Sequence, residues 1–329
     1  MEYTSTTCHF APVFPYRPEL RRKRPQVPQP PRGFPPIESD WVVEFETFLS
    51  SDQKATLYSH LFRPVNLQGP RAHKALVVLH GQGEHSGRYI HWPHFLRDTV
   101  GSIYAIDHRG HGQSTGIRGH IDHFDVYASD ACDAIRRYAS YLRQQYGRAE
   151  VHLAAHSMGG LIALRALLND PALPVESVTL SAPMVELGFK VPKAKVMAGR
   201  MMLSLLPFLP LPGEPLADLV SRDPEVVKHY KGDSLNHGLA SSGFYFSYLE
   251  AKDDMLQRAR ELKKPLLLLL PDSDRVINPK ATERFFQRIS NKDKKLIHFP
   301  SSFHEVFNEP EKEQAFSELR SWIDQHSDG

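Results

Sequence analysis

The sequence has few cysteines: two in 329 residues, Cys8 and Cys132. That excludes a disulfide framework and suits a reducing compartment. No run of about 18 uninterrupted apolar residues occurs, so no membrane-spanning helix is expected. The first forty residues lack an apolar stretch of signal-peptide length. The cluster Arg21-Arg22-Lys23-Arg24 leads into Pro25, Gln26, Val27 and Pro28 rather than into an apolar run, which argues against a twin-arginine signal. The net charge of +2 is too small to indicate a nucleic-acid partner. What remains is a chain with 41% hydrophobic and 24% charged residues, an ordinary balance for a globular protein able to bury a full core. A cytoplasmic protein, with peripheral contact at a membrane, is the expectation.

Residues 1–40 read as a separate, poorly ordered arm. Nine prolines fall in the 25 positions from Pro12 to Pro36, too dense for helix or central strand. Extended, partly polyproline backbone is expected there. Six basic residues between Arg17 and Arg32 are opposed only by Glu19. They read as a solvated tail; the alternative is attraction to an anionic membrane surface, at roughly 1 kcal/mol per basic residue.

Order is expected from Trp41 onward, giving one domain over 41–329. Val43, Phe45 and Phe48, then Ala55–Phe62, suggest an opening antiparallel pair. After them short apolar runs alternate with helical patterns: Ala75–Leu79, Ile103–Ile106, Val151–Ala154, Val178–Leu180, Leu266–Leu270 and Leu296–Phe299. Such runs suit strands buried on both faces. Helices are expected near 125–146, 159–169, 279–289 and 310–325. The alternation predicts an α/β protein with a mostly parallel central sheet flanked by helices. From about 185 to 255 no buried strand appears. Val196–Leu206 is apolar nearly all round and leads into a Pro-punctuated stretch, which reads as a helical lid insertion facing lipid or substrate, with a packed helical subdomain as the alternative.

The chemistry centres on Val151-His152-Leu153-Ala154-Ala155-His156-Ser157-Met158-Gly159-Gly160. An apolar strand runs into a serine, then glycines, then a helical pattern, which is the setting of a nucleophile elbow. Small residues two before and two after the serine let strand and helix approach. Gly159 meets that need, and Ala155 stands where glycine is usual. A serine hydroxyl needs a base and an orienting acid, and in this setting the chain order is serine, acid, histidine. Asp272 and Asp274 directly follow the strand Leu266–Leu270. Asp274 is the expected acid, because Asp274-Arg275-Val276 precedes Pro279 and a helix; Asp272 is the alternative. His304, in the loop beyond the last strand, is the expected base, whereas His298 is expected to pack within that strand. The oxyanion donors are expected to be the backbone N–H of Met158 and that of Gln82, the latter in the loop His80-Gly81-Gln82-Gly83-Glu84-His85-Ser86-Gly87-Arg88-Tyr89.

The 18 histidines invite a metal reading. His91/His94, His108/His111 and His120/His123 are each spaced three apart, but no matching carboxylate spacing accompanies them, so no metal is expected. Asp107, His108 and Arg109 read instead as a hydrogen-bonded loop bracing the edge of the site.

Three segments together, His80–Tyr89, Asp107-His108-Arg109-Gly110-His111-Gly112-Gln113-Ser114 and His156–Gly160, resemble the monoacylglycerol lipase and lysophospholipase group of α/β-hydrolases. Leu219-Val220-Ser221-Arg222-Asp223-Pro224 and Tyr230 are similar to the stretch after the lid helix in that group. The resemblance covers about residues 42–325 and leaves out the N-terminal arm. It implies the α/β-hydrolase fold, a triad of Ser157, Asp274 and His304, oxyanion donors at Gln82 and Met158, and neither metal nor organic cofactor. Two departures stand out, Ala155 for glycine and Pro271 where glycine is common, and neither removes a reacting group. The implied activity is hydrolysis of a single-chain lipid ester, a lysophospholipid or monoacylglycerol, through an acyl-enzyme. A small-ester esterase or aminopeptidase-like hydrolase on the same scaffold, a non-catalytic binding protein and a membrane-docking scaffold are the alternatives. The implied partners are a lipid or ester substrate and a membrane surface met by the lid and basic arm.

Overall fold

Alternate residues of the short apolar runs face opposite sides of one sheet, and helices cover both sides. The computed structural model describes residues 27–328. Its strands are β1 (Trp41–Leu49), β2 (Thr56–Pro64), β3 (Lys74–Leu79), β4 (Ser102–Asp107), β5 (Glu150–His156), β6 (Ser177–Ser181), β7 (Pro210–Pro212), β8 (Leu239–Ser241), β9 (Leu266–Pro271) and β10 (Lys294–Phe299). Its helices are α1 (Trp92–Leu96), α2 (Asp125–Tyr146), α3 (Met158–Asn169), α4 (Lys193–Leu205), α5 (Pro224–Gly232), α6 (Ser242–Arg258), α7 (Pro279–Arg288) and α8 (Lys312–Gln325).

Eight strands form one sheet in the order β1-β2-β4-β3-β5-β6-β9-β10. β1 pairs antiparallel with β2, and β2 with β4; every other pairing in this sheet is parallel. The expected hairpin and all six expected strands are therefore present; five of the six lie inside the sheet, whereas Leu296–Phe299 belongs to the edge strand β10 and is only partly buried. Ala75, Val77 and Leu79 pack with α2 and α3 on one face, while Leu76 and Val78 pack with α1 and α8 on the other. Leu266–Leu270 divides between the two cores in the same alternating way. Burial on both faces thus turns a leucine run with modest strand preference into an inner strand. β10 forms the far edge and presents Lys294, Lys295 and His298, polar residues that blunt an open edge. The direction of chain progression reverses at β3, which has β4 on one side and β5 on the other. Open parallel sheets bind ligands at the carboxyl ends of strands at such a point.

The segment where a helical lid insertion was expected, about 185–255, holds four elements outside the main sheet and one long helix packed on it. α4, β7, α5 and β8 form a cap, and β7 and β8 pair as a short two-stranded ribbon. α6 instead packs Phe244, Tyr248, Ala251 and Met255 into the main core beside α3. It starts with Ser241 accepting from the Phe244 N–H, an N-cap in the position its sequence allows. α4 differs from every other long helix here, for none of its residues is buried.

The expected arm of residues 1–40 divides. Its part up to residue 26 lies outside the described residues. In the rest, Phe34 is buried against Val220 and Val226 at the base of the cap, edge-on to His91 and under Lys312. Gln29 O accepts from His229 Nε2 of α5 at 2.9 Å. Irregular backbone here is compatible with firm side-chain anchoring, which proline density alone does not reveal.

Leu268 is fully buried and packs in the larger core. Leu268→Ala should cost about 3 kcal/mol through lost burial and the cavity left behind. Lys295→Ala, which removes only an exposed pair with Glu318 on the neighbouring surface, should stay within about 0.5 kcal/mol. Urea titration of both variants against the parent checks the contrast.

Candidate active site

Ser157 ends β5 and opens α3 with φ +51° and ψ −115°, a left-handed conformation costly for a residue with a side chain. The surroundings hold it there. Its N–H donates to Ser181 O at 3.0 Å, and its carbonyl accepts from Met184 N at 2.9 Å and Gly160 N at 2.9 Å. Close packing of α3 onto β3 requires glycine at 159, because a Cβ there would lie 2.2 Å from Leu79 O. Ala155, the departure from the usual small residue, is accommodated within the main core, paired across the sheet with Leu79 and Leu180.

His304 and Asp274 meet as expected. Asp274 follows β9 in a turn whose geometry fixes both carboxylate oxygens. Oδ1 accepts from Val276 N at 2.7 Å and Ile277 N at 3.1 Å, while Oδ2 lies 2.8 Å from His304 Nδ1. The second candidate acid is engaged elsewhere: Asp272 Oδ1 lies 2.9 Å from His298 Nδ1. His298 was expected to pack inside its strand, but its side chain is 44% exposed, since β10 is the sheet edge. The His304 ring centroid lies 4.6 Å from that of His156, the residue before Ser157, so the histidine stands beside the elbow. Burial disfavours the charged imidazolium of His304, but Asp274, with help from Glu305 and Glu84, outweighs it and raises the pKa above 6.5.

The loop after β3 lies against the elbow. A Cβ on Gly81 would come within 3.2 Å of Ser157 Cβ and 3.1 Å of His156 Cδ2, so this position takes glycine. Met158 is the first residue of α3, where helical N–H groups have no intrahelical acceptor. Gln82 follows Gly81, which places its amide in the same loop. Three buried charges brace this loop. Glu84 Oε1 accepts from Gly81 N at 2.5 Å, and Glu84 also pairs with Arg88. Arg88 reaches Glu305, next to His304, in a bidentate pair with both distances 2.8 Å. Its guanidinium also stacks 4.7 Å from the ring of Tyr230 in the cap. Burial penalises the Glu305 carboxylate, yet Arg88 overrides this and holds its pKa well below the usual carboxylate range. Sequence patterning missed this network, because charged residues in a loop read as solvated and Arg88 and Glu305 are 217 positions apart. The spacing Glu84–Arg88 was the one local signal.

Asp107 binds the loops after β3 and β4 together, accepting from Ser86 N, Ser86 Oγ and Gln113 N at 2.7, 2.6 and 2.6 Å. Arg109 pairs with Asp52 and Asp130. The Asp107–Arg109 segment is thus the bracing loop that was expected. Of the histidine pairs spaced three apart, His108 and His111 come together, with ring centroids 6.3 Å apart and both against His80, but as packed rings engaged with protein groups. His108 packs on His80, His111 on His237, His91 against Phe34 and Phe95, and His120 bonds Ser241. Among the described residues no group of three or more His, Cys, Asp or Glu is arranged to hold a metal ion.

Burial lowers the pKa of His60 and His91 to about 3 and that of His108, His156 and His237 to about 4, against 6.5 in the open chain. Between these values the unfolded chain binds protons that the folded chain refuses. Stability should therefore be full above pH 6.5 and fall progressively toward pH 4. The raised pKa values of His304, Asp107, Asp130 and Asp133 act oppositely, but burial lowers His73, His80, His111 and His229 as well. Urea midpoints should be lower at pH 5 than at pH 7.5; equal midpoints would contradict the neutral burial of these rings.

Comparison with known proteins agrees with this architecture. The family described as "Serine aminopeptidase, S33" (Hydrolase_4) matches residues 70–311. A monoacylglycerol lipase of Mycolicibacterium smegmatis is 33% identical over 252 residues, covering 76% of this chain and 88% of that protein. A phospholipase of Bacillus subtilis is 27% identical, covering 76% of this chain and 95% of the other. The solved monoacylglycerol lipase of Paleococcus ferrophilus superposes with a TM-score of 0.69 at 28% identity, covering 87% of this chain and all of that one. With this sheet order, this elbow and a family match spanning most of its length, the chain belongs to the Hydrolase_4 family of α/β-hydrolases.

Proposed function

We propose that the protein is a serine hydrolase that releases a fatty acid from a single-chain lipid ester, a monoacylglycerol or lysophospholipid. The observation that carries this reading is the 2.8 Å bond between His304 Nδ1 and Asp274 Oδ2 beside the strained backbone of Ser157. That bond leaves His304 Nε2 free of Asp274, as a base serving the Ser157 hydroxyl requires. In the first step His304 takes the Ser157 proton while Oγ attacks the ester carbonyl. The Gln82 and Met158 amides hold the oxyanion. His304 then protonates the leaving alcohol, forming an acyl-enzyme. Water, activated by the same histidine, attacks next, and the fatty acid departs. Asp274 orients His304 and stabilises its charged form. The names of the relatives, two monoacylglycerol lipases and a phospholipase, support a lipid ester.

The cap supports a lipid as well. Met197, Met201 and Leu205 of α4 are 67%, 64% and 71% exposed, and Leu206, Phe208, Leu209 and Leu211 continue the exposed apolar surface. Lys190, Lys193, Lys195 and Arg200 flank it, and no acidic residue occurs between Gly188 and Gly213. An apolar strip with a basic border suits the surface of an anionic bilayer. Among the described residues no helix is long and apolar enough to cross a membrane; the contact we propose is peripheral, with the protein on the cytoplasmic side. The basic arm is proposed to add to it.

Ser157→Ala should abolish monoacylglycerol and lysophospholipid hydrolysis by a factor on the order of 10⁴ or more. Asp274→Asn should lose about 10⁴ in kcat, whereas Asp272→Asn should stay within about twofold, since its carboxylate serves His298. A substrate panel including short esters and an aminoacyl amide tests the class; amide cleavage without ester cleavage would sink the lipid assignment. The acid limb of kcat/KM should lie above pH 6.5, because His304 must be neutral to act as base.

Met201→Glu with Leu205→Glu should weaken sedimentation with anionic vesicles and slow turnover of monoacylglycerol presented in them. Soluble short-ester turnover should be unchanged. Full vesicle binding by the double variant would refute the docking surface.

A further inference from the structure

The role given to Gln82 uses only its backbone, yet its side chain is committed at both ends. Nε2 donates to Leu239 O of β8 at 3.0 Å, and Oε1 lies 3.1 Å from His111 Nε2. The orientation of the amide follows from the partners. Leu239 O is a pure acceptor, so the NH₂ end must face it, and the oxygen end faces His111, whose neutral ring has a single N–H to give either to Gln82 Oε1 or to Arg109 O. His111 is itself seated on the loop after β4, with Nδ1 3.0 Å from Arg109 O.

The neighbouring backbone makes the same junction. Gly83 O accepts from His237 N at 2.8 Å, and a Cβ at Gly83 would fall 2.0 Å from His237 O. The cap backbone over 237–239 therefore rests directly on the loop that carries the Gln82 amide. β8 in turn pairs with β7, Leu211 opposite Ala240, and β7 belongs to the exposed apolar stretch of the cap. A continuous line of bonded contacts runs from that stretch through Leu239 and the Gln82 side chain to the Gln82 N–H.

We propose that the Gln82 side chain is a positioning device that makes the oxyanion geometry conditional on the seating of the β7–β8 ribbon. With the ribbon seated, the amide is held between Leu239 O and His111, and the peptide N–H is aimed at the carbonyl oxygen of the substrate. With the ribbon displaced, the amide loses its cap acceptor, the loop gains freedom to rotate, and the donor is lost at the moment charge develops. The glycines on either side, Gly81 and Gly83, give the loop that freedom. Gln82 acts through its own backbone amide and through the cap, and its side chain touches no reacting atom. This inference rests on the serine-hydrolase mechanism proposed above.

The test uses the full-length protein with Gln82→Leu and Gln82→Glu, both of which keep the backbone N–H. Ionised Glu matches Gln in shape but cannot donate to Leu239 O, so assays are run above the carboxyl's titration range; Leu keeps bulk without any polar bond. On a soluble p-nitrophenyl ester, both should lose about tenfold or more in kcat, within the range known for a weakened oxyanion donor, with KM within about twofold. The inhibition constant of an alkyl trifluoromethyl ketone, whose serine adduct carries the same oxyanion, should rise by the same factor as kcat falls. Thermal melting confirms that each variant is folded, and either variant alone carries the test.

Retention of kcat within about twofold by Gln82→Glu would overturn the proposal, since shape alone would then suffice. A fall in kcat with unchanged ketone affinity would overturn it too, because the loss would lie outside the oxyanion. A rise in KM at constant kcat would do the same by showing ground-state binding alone. Ser157→Ala separates the two levels. If ester turnover survives Ser157→Ala, the serine mechanism fails and this inference with it. If turnover needs Ser157 but ignores Gln82, only the coupling fails.

Discussion

One guanidinium organises the candidate active site of this protein. Arg88 sits between Glu84 and Glu305 with all three groups buried, and it lies over Tyr230 of the cap. Those residues come from the loop after β3, the loop after β10 and α5, segments with no contact along the sequence. A buried cation with two carboxylates adds little net stability compared with a well-packed apolar core, because desolvation offsets the attraction. Removing the cation would nevertheless strand two buried charges at a cost of about 3–5 kcal/mol. The pairing thus acts mainly to specify geometry. It sets where Gly81 stands through Glu84, and where His304 stands through Glu305. Both lie around the strained Ser157, and the strain persists only because the surrounding bonds over-determine it.

The fold and the line of the site were legible to different depths for physical reasons. Inner strands were readable because parallel strands buried on both faces must be continuously apolar, as in Leu266–Leu270. The end of the cap was not, because α6 has a mixed pattern and only its packing beside α3 assigns it to the sheet. Ser157 and His304 stood out from their places after strands. Asp274 was preferred to Asp272 from the loop and helix that follow it, although both directly follow β9. What distinguishes them is a turn: two backbone N–H groups capture Asp274 Oδ1 and aim Oδ2 at His304, while Asp272 is left beside His298 at the sheet edge. The Arg88 network and the Gln82 side chain were invisible for a common reason. Each depends on a partner more than a hundred positions away.

The cap is two structures in one. Its inner parts, β8 and α5, are stitched to the loops around Ser157 by backbone and buried polar bonds. These include His85 Nε2 to Asp233 Oδ2 at 2.7 Å and Glu305 N to Val220 O at 2.8 Å. Its outer part, α4, has no buried residue and presents methionines and leucines to its surroundings. Polar stitching fixes direction, whereas flexible apolar side chains tolerate irregular partners. The division suits a protein whose chemistry needs rigid geometry while the proposed lipid surface it meets has none.

The seat of Phe34 has a consequence for how the molecule opens. This ring lies outside the stretch shared with the family, yet it fills the small cluster formed by Val220 and Val226 and meets His91. Swinging α5 away would expose the ring together with the valines and break the bond from His229 to Gln29 O. The beginning of the described chain and the base of the cap therefore belong to one cooperative unfolding unit, although about two hundred residues separate them along the chain. The tie between Phe34 and the base of the cap lies outside the residues that the family model matches, so the local opening of α5 depends on a segment beyond that match.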